Sequence, residues 1–133
     1  MDIRPCGSQP SRQAPAQYFT GTVWQDPIIE APASPPSVRA TVVRFDPAAR
    51  THWHTHPAGQ TLYILSGIGR VQSADGDVRE VRPGDVVWFP PNVRHWHGAG
   101  PTTTMVHIAI TEVRDGKFVE WMEPVTDEQY KRS

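Results

Sequence analysis

The chain has a single cysteine, Cys6, so no internal disulfide can staple the fold. Cys6 lies among proline, glycine, serine and glutamine, which suits a loosely held thiol better than a nucleophile. No segment approaches the roughly 20 apolar residues of a membrane-spanning helix. The opening residues MDIRPCGSQPSRQAPAQ lack the apolar run of a secretory signal, so a cytoplasmic protein is expected. Surplus charge is absent too. Thirteen basic residues face fourteen acidic ones, for a net charge of -1, which gives neither nucleic acid nor an acidic membrane anything to recognise. Charged residues make up 20% and apolar ones 38%, the mix of an ordinary folded chain, and 133 residues suit one domain with its own core.

Proline, by contrast, is plentiful, with fourteen copies spread along the chain, and this disfavours long helices. Residues 1–16 read as irregular. QYFTGTVWQ (17–25) alternates and is rich in β-formers, so it is an N-terminal strand candidate, followed by a proline-rich connection over 26–37. VRATVVRF (38–45) is a strand whose odd positions Thr41, Val43 and Phe45 share a face. THWHTH, TLYILSG, GRVQS, VREVR, VVWF and TTTMVHIAIT read as further strands. The DG dipeptides in ADGD (74–77) and RDGK (114–117) signal hairpins, with FVEWME expected to pair back after the second. Thr126 and Gln129 fit a capping box for one short C-terminal helix. Neither a repeat nor an internal boundary is visible. The expectation is an all-β barrel or sandwich, one domain over 1–133 with its core at about 38–113.

Within HWHTHPAGQ (52–60), strand alternation would turn His52, His54 and His56 to one side, with Trp53 and Thr55 on the other. A buried row of unpaired imidazoles is costly unless a metal takes the lone pairs. Gln60, beyond the PAG bend, could swing its amide oxygen into the same space. His95 and His97 repeat the alternate spacing, and His107 lies on a later strand, so all six histidines fall in three strand segments.

These segments resemble the cupin family. Its first motif, G-x5-H-x-H-x3/4-E-x6-G, is matched by ARTHWHTHPAGQTLYILSG: His54 and His56 take the histidine positions, Gln60 the glutamate and Gly67 the last glycine, while Ala48 replaces the first glycine. The second, G-x5-P-x-G-x2-H-x3-N, is matched by GDVVWFPPNVRHWHGA through Gly84, Pro90 and His95, with Asn92 and Ala99 replacing the glycine and asparagine. The resemblance implies a double-stranded β-helix, or jelly-roll barrel, and a metal held by His54, His56, Gln60 and His95, with His52 toward the rim. HTHPAGQT, PGDVVWF, HWHGAGPTT and EWMEPVTDEQY are similar to the small bacterial manganese-dependent cupin hydroxynitrile lyases. That likeness implies a divalent ion, manganese first, with iron, nickel, cobalt or zinc also compatible with the donors.

A neutral Gln60 leaves the ion its full dipositive charge and makes it the stronger Lewis acid. The implied reaction joins or splits an aldehyde and cyanide through a cyanohydrin such as mandelonitrile. It needs a base, for which His107 and His97 are the candidates. Thr41, Val43, Phe45 and Thr111 are expected to line the substrate pocket, with Val87, Phe89, Leu62 and Ile64 adding apolar bulk. The alternatives are a cupin dioxygenase acting on a small aromatic or chelating substrate and a non-enzymatic small-molecule binder. Cupin barrels pair through their sheets, so a homodimer or homotetramer is expected, with a small-molecule substrate as the other partner.

Overall fold

A computed structural model describes residues 1–30 and 37–131. In chain order the strands are β1 (Arg12–Gln13), β2 (Phe19–Thr20), β3 (Val23–Ile29), β4 (Val38–Phe45), β5 (Arg50–Thr51), β6 (His54–Thr55), β7 (Gln60–Gly67), β8 (Gly69–Ser73), β9 (Arg79–Val81), β10 (Val86–Phe89), β11 (His95–Ala99), β12 (Met105–Glu112) and β13 (Glu120–Trp121), followed by helix α1 (Asp127–Lys131). They form two antiparallel sheets. The first runs β1-β3-β4-β12-β7-β10 and the second β13-β6-β11-β5-β2, with β8 also on β11 and β9 on β8.

Between the sheets lies the main core, with Val23, Phe45, Leu62, Ile64 and Met105 wholly buried. A second core of Trp53, Trp96, Val125 and Tyr130 covers the outside of the second sheet, under the C-terminal segment. The expected capping box is formed: the Thr126 amide donates to Gln129 Oε1 at 2.9 Å and the Gln129 amide to Thr126 Oγ1 at 3.1 Å. That start seats Tyr130, whose hydroxyl donates to the Ala99 carbonyl at 2.7 Å. Among the described residues nothing comparable covers the first sheet, where Tyr63, Leu65, Val86, Trp88 and Ile110 remain exposed. No helix among the described residues is long and apolar enough to cross a membrane.

Several strands differ from expectation. The candidate at 17–25 is broken at Gly21, whose φ of 81° turns the chain from one sheet to the other. β3 then continues through Pro27 to Ile29, into the segment read as a connection, and the rest of that connection, residues 31–36, lies outside the described residues. Within the supposedly irregular 1–16, Arg12 and Gln13 pair with β3. THWHTH is two short strands separated by His52 and Trp53. After RDGK, which closes with an Arg114–Lys117 bridge, the chain does not pair back. β13 crosses to the second sheet and lies on β6, with Trp121 opposite His54.

Two departures from the cupin motifs keep the backbone that glycine would have supplied. Ala48 has a φ of 67° and Asn92 a φ of 61°. Asparagine tolerates this left-handed region, whereas alanine is strained in it.

Candidate metal centre and active-site cavity

The two sheets bring the candidate residues together from opposite sides. β6 and β11 are neighbours, with His54 directly across from His95. From the facing sheet comes Gln60, at the start of β7, with Thr111 of β12 and Phe89 of β10 as its cross-strand partners. Gly59 sets the approach: its φ is 77°, and a Cβ there would come within 2.3 Å of the Trp88 ring. Only glycine lets the bend pass beneath that indole and deliver Gln60 to the interior.

Each candidate ligand is held at its far atom. His54 Nδ1 donates to the His52 carbonyl at 2.8 Å, His95 Nδ1 to the Val93 carbonyl at 2.8 Å, and His56 Nδ1 to the Phe118 carbonyl at 2.5 Å. A carbonyl can only accept, so all three rings carry their proton on Nδ1 and keep a lone pair on Nε2. Gln60 Nε2 donates to Thr111 Oγ1 at 3.2 Å, which fixes the amide and points to Oε1 as the free acceptor. His56 Nε2, His95 Nε2 and Gln60 Oε1 are buried without a hydrogen-bond partner. Such orphans cost free energy unless something electron-poor fills the space between them. The donor set therefore fits a divalent cation: three neutral imidazoles and an amide oxygen, each oriented by a second contact.

His97 stands close by. Ring nitrogens of His54, His95 and His97 lie within 4.8 Å of one another, a grouping that does not include His56. Ring centroids rank the two differently. That of His56 lies 5.0 Å from His54 and 5.4 Å from His95, whereas that of His97 lies 5.2 and 5.9 Å away. The carbonyl anchor distinguishes them. His97 instead faces His107, with its Nδ1 3.0 Å from His107 Nε2.

His52 does not share the row. The break between β5 and β6 removes the alternation that would have aligned it, and its amide bonds to the Tyr18 carbonyl. Its carbonyl, not its ring, serves His54.

All these imidazoles are less basic than usual. Burial comes first for each and holds His54 and His97 well below the ordinary range, with neighbouring histidine charge adding to it. Burial brings His95 and His107 down to about 3, partly opposed in His95 by its bond to Val93. The set is neutral at physiological pH, as both ligation and base catalysis require.

A cavity of about 90 Å³ opens beside these residues, bordered by His54, His56, Gln60 and His97. Thr41, Val43 and Thr111 line it, and Phe45 does not. Phe45 is fully buried at the C-terminal end of β4, with its ring 5.3 Å from that of His107 and 6.0 Å from that of His97, so it backs the histidine pair. Phe89 stacks on His95 at 3.7 Å, and Leu62 and Ile64 are wholly in the core. Val87 and Phe89 border a different groove, of about 580 Å³ near the β8–β9 hairpin, that contains no histidine.

Sequence reading missed Gln25, Arg39, Phe118 and Trp121, all on the cavity wall. Alternation could have found Arg39, two residues before Thr41. Phe118 and Trp121 were hidden because the crossing of the chain to β6 has no local signal.

A cupin domain model matches residues 41–111, which span both histidine motifs. The chain belongs to the cupin family. It is 57% identical over 132 residues to the (R)-mandelonitrile lyase of Granulicella tundricola, covering 99% of this chain and 100% of that protein. A cupin-like protein from Thermotoga maritima superposes with a TM-score of 0.86 at 39% identity, over 98% of this chain and 96% of the other. The polyketide cyclase RemF of Streptomyces resistomycificus shares the fold with a TM-score of 0.74, but only 18% identity, over 98% and 92% of the two chains.

Proposed function

We propose that this cupin is a metal-dependent lyase that splits or forms cyanohydrins, with mandelonitrile as a substrate and manganese as its ion. The observation that carries this reading is the set of oriented, partnerless donor atoms, His56 Nε2, His95 Nε2 and Gln60 Oε1, beside a second, hydrogen-bonded histidine pair. The relative named as a mandelonitrile lyase supports it through its full-length identity.

A divalent ion held by His54, His56, Gln60 and His95 would supply Lewis acidity to the cyanohydrin hydroxyl and lower its pKa. The chain's own groups do the rest. His107, neutral and buried, takes the hydroxyl proton through His97, which borders the cavity and lies 3.0 Å from it, a role usually contributing about 10²–10⁴-fold. As the C–C bond to the nitrile breaks, its electron pair leaves with the cyanide and the carbonyl forms. The imidazolium, steadied by His97, returns the proton to cyanide. Thr41, Val43 and Thr111 confine the substrate. No electron is gained or lost overall, so dioxygen has no part. The protein acts in the cytoplasm, where the exposed thiol of Cys6 suits a reducing compartment.

The protein acts as a homodimer or homotetramer. The exposed apolar side chains on the first sheet support pairing through that face.

The deciding experiment is metal analysis of the purified protein followed by cyanide release from mandelonitrile without oxygen. Stoichiometric metal with anaerobic release is expected. Turnover that requires dioxygen would replace the lyase with an oxygenase.

A further inference from the structure

Among the described residues, Arg39 is the one guanidinium on the cavity wall. It is partly buried on β4, opposite Thr111 of β12, and Thr111 is in turn opposite Gln60 of β7. Arg39, Thr111 and Gln60 therefore form one inward-facing row across three strands. Spacing of about 4.8 Å between strands puts the backbone of Arg39 about 10 Å from that of Gln60. The guanidinium carbon lies 4.0 Å from the centroid of the Phe118 ring. Phe118 is also the residue whose carbonyl anchors His56. Among the described residues the ion pairs involve Arg12, Arg50, Arg82 and Arg94, and no carboxylate reaches Arg39. Gln25 adds an amide to the same wall.

An arginine held against an aromatic face, on a cavity wall and with no acid to neutralise it, is suited to receive a carboxylate. The cavity is also small, well under the roughly 300–1,000 Å³ of a drug-sized site. We propose that Arg39 is a specificity-determining residue: it binds the carboxylate of a short aldehyde or cyanohydrin whose oxygen lies at the histidine end. The reaction that supplies such a substrate makes an aldehyde acid, and Arg39 selects it over neutral aldehydes. This inference rests on the lyase reading for its reaction, but not for its binding.

The test compares the metal-loaded protein with Arg39→Met, which keeps an apolar stem over Phe118 and removes the charge, and with Arg39→Lys. The probes are the cyanohydrins of succinic semialdehyde, which carries a carboxylate, and of pentanal, which does not. The wild type should favour the acid in kcat/KM, and the preference should fall about 10-fold or more in Arg39→Met, the weight of a charge-assisted contact. Arg39→Lys should recover part of it, and added salt should weaken it for the acid alone. Metal content and melting temperature, measured on each variant, exclude misfolding as the cause. Cyanide release with the same selectivity in wild type and Arg39→Met would overturn the proposal and leave the lyase standing. If neither probe releases cyanide, calorimetric binding of succinic semialdehyde decides. Binding lost in Arg39→Met would keep the carboxylate site while the lyase reading falls. Binding absent or unchanged would overturn the site.

Discussion

Nε2 of His107 lies 3.0 Å from Nδ1 of His97, and both rings are buried between the sheets. One of the two nitrogens must carry the proton and the other accept it. The remaining atoms, His107 Nδ1 and His97 Nε2, have no partner. Such a pair can receive one proton and share it. His107→Ala should therefore retain its metal, lower cyanide release from mandelonitrile by about 10²-fold or more, and leave the residual rate indifferent to oxygen. Metal content and anaerobic cyanide release on both proteins check this. An unchanged rate would move the base to His97.

Metal content also separates His56 from His97. The proposed ligand set predicts a sharp loss of bound ion in His56→Ala and retention in His97→Ala. The opposite pattern would make His54, His95 and His97 the binding triad.

Gln60→Glu adds a negative charge to the donor set. The variant should hold the ion more tightly, yet cleave cyanohydrin more slowly, because the charge lowers the ion's Lewis acidity. Competition with a chelator and initial rates would reveal the trade. A variant with weaker binding and undiminished rate would refute the charge argument.

Acid should destabilise the metal-free protein. His95 and His107 have folded pKa values of about 3, below the value of about 6.5 expected when unfolded. Between these limits the unfolded chain binds more protons, so stability is fully present above about pH 6.5 and is lost as pH falls toward about 3. Urea midpoints in chelator should decline through that window. A flat profile would mean that the rings are solvated.

Ala48 occupies a left-handed conformation with a φ of 67°. Ala48→Gly removes a strain of about 1–2 kcal/mol, partly offset by the greater freedom of unfolded glycine. A net gain of about 0.5–1 kcal/mol is expected from denaturant titration.

The two motifs made the fold legible because His54, His56, Gln60, Gly67 and His95 are fixed by local spacing on strands. Thr41, Val43 and Thr111 followed from alternation alone. Phe45 failed because alternation fixes the face of a residue but not its depth along the barrel. Strand pairing was legible where a DG turn joined neighbours, as in β8 and β9. It was lost at β13, which is fixed by a contact with residues far earlier in the chain.

The carbonyl of residue 52 carries a wider consequence. In both histidine motifs a ligand ring is anchored on the carbonyl two residues upstream, His54 on residue 52 and His95 on residue 93. A main-chain oxygen is the one hydrogen-bonding group that no substitution can delete. The ring of His52 is tied to the main chain of Met122 and plays no part in this anchor, so the orientation of His54 is inherited by whatever residue stands at position 52.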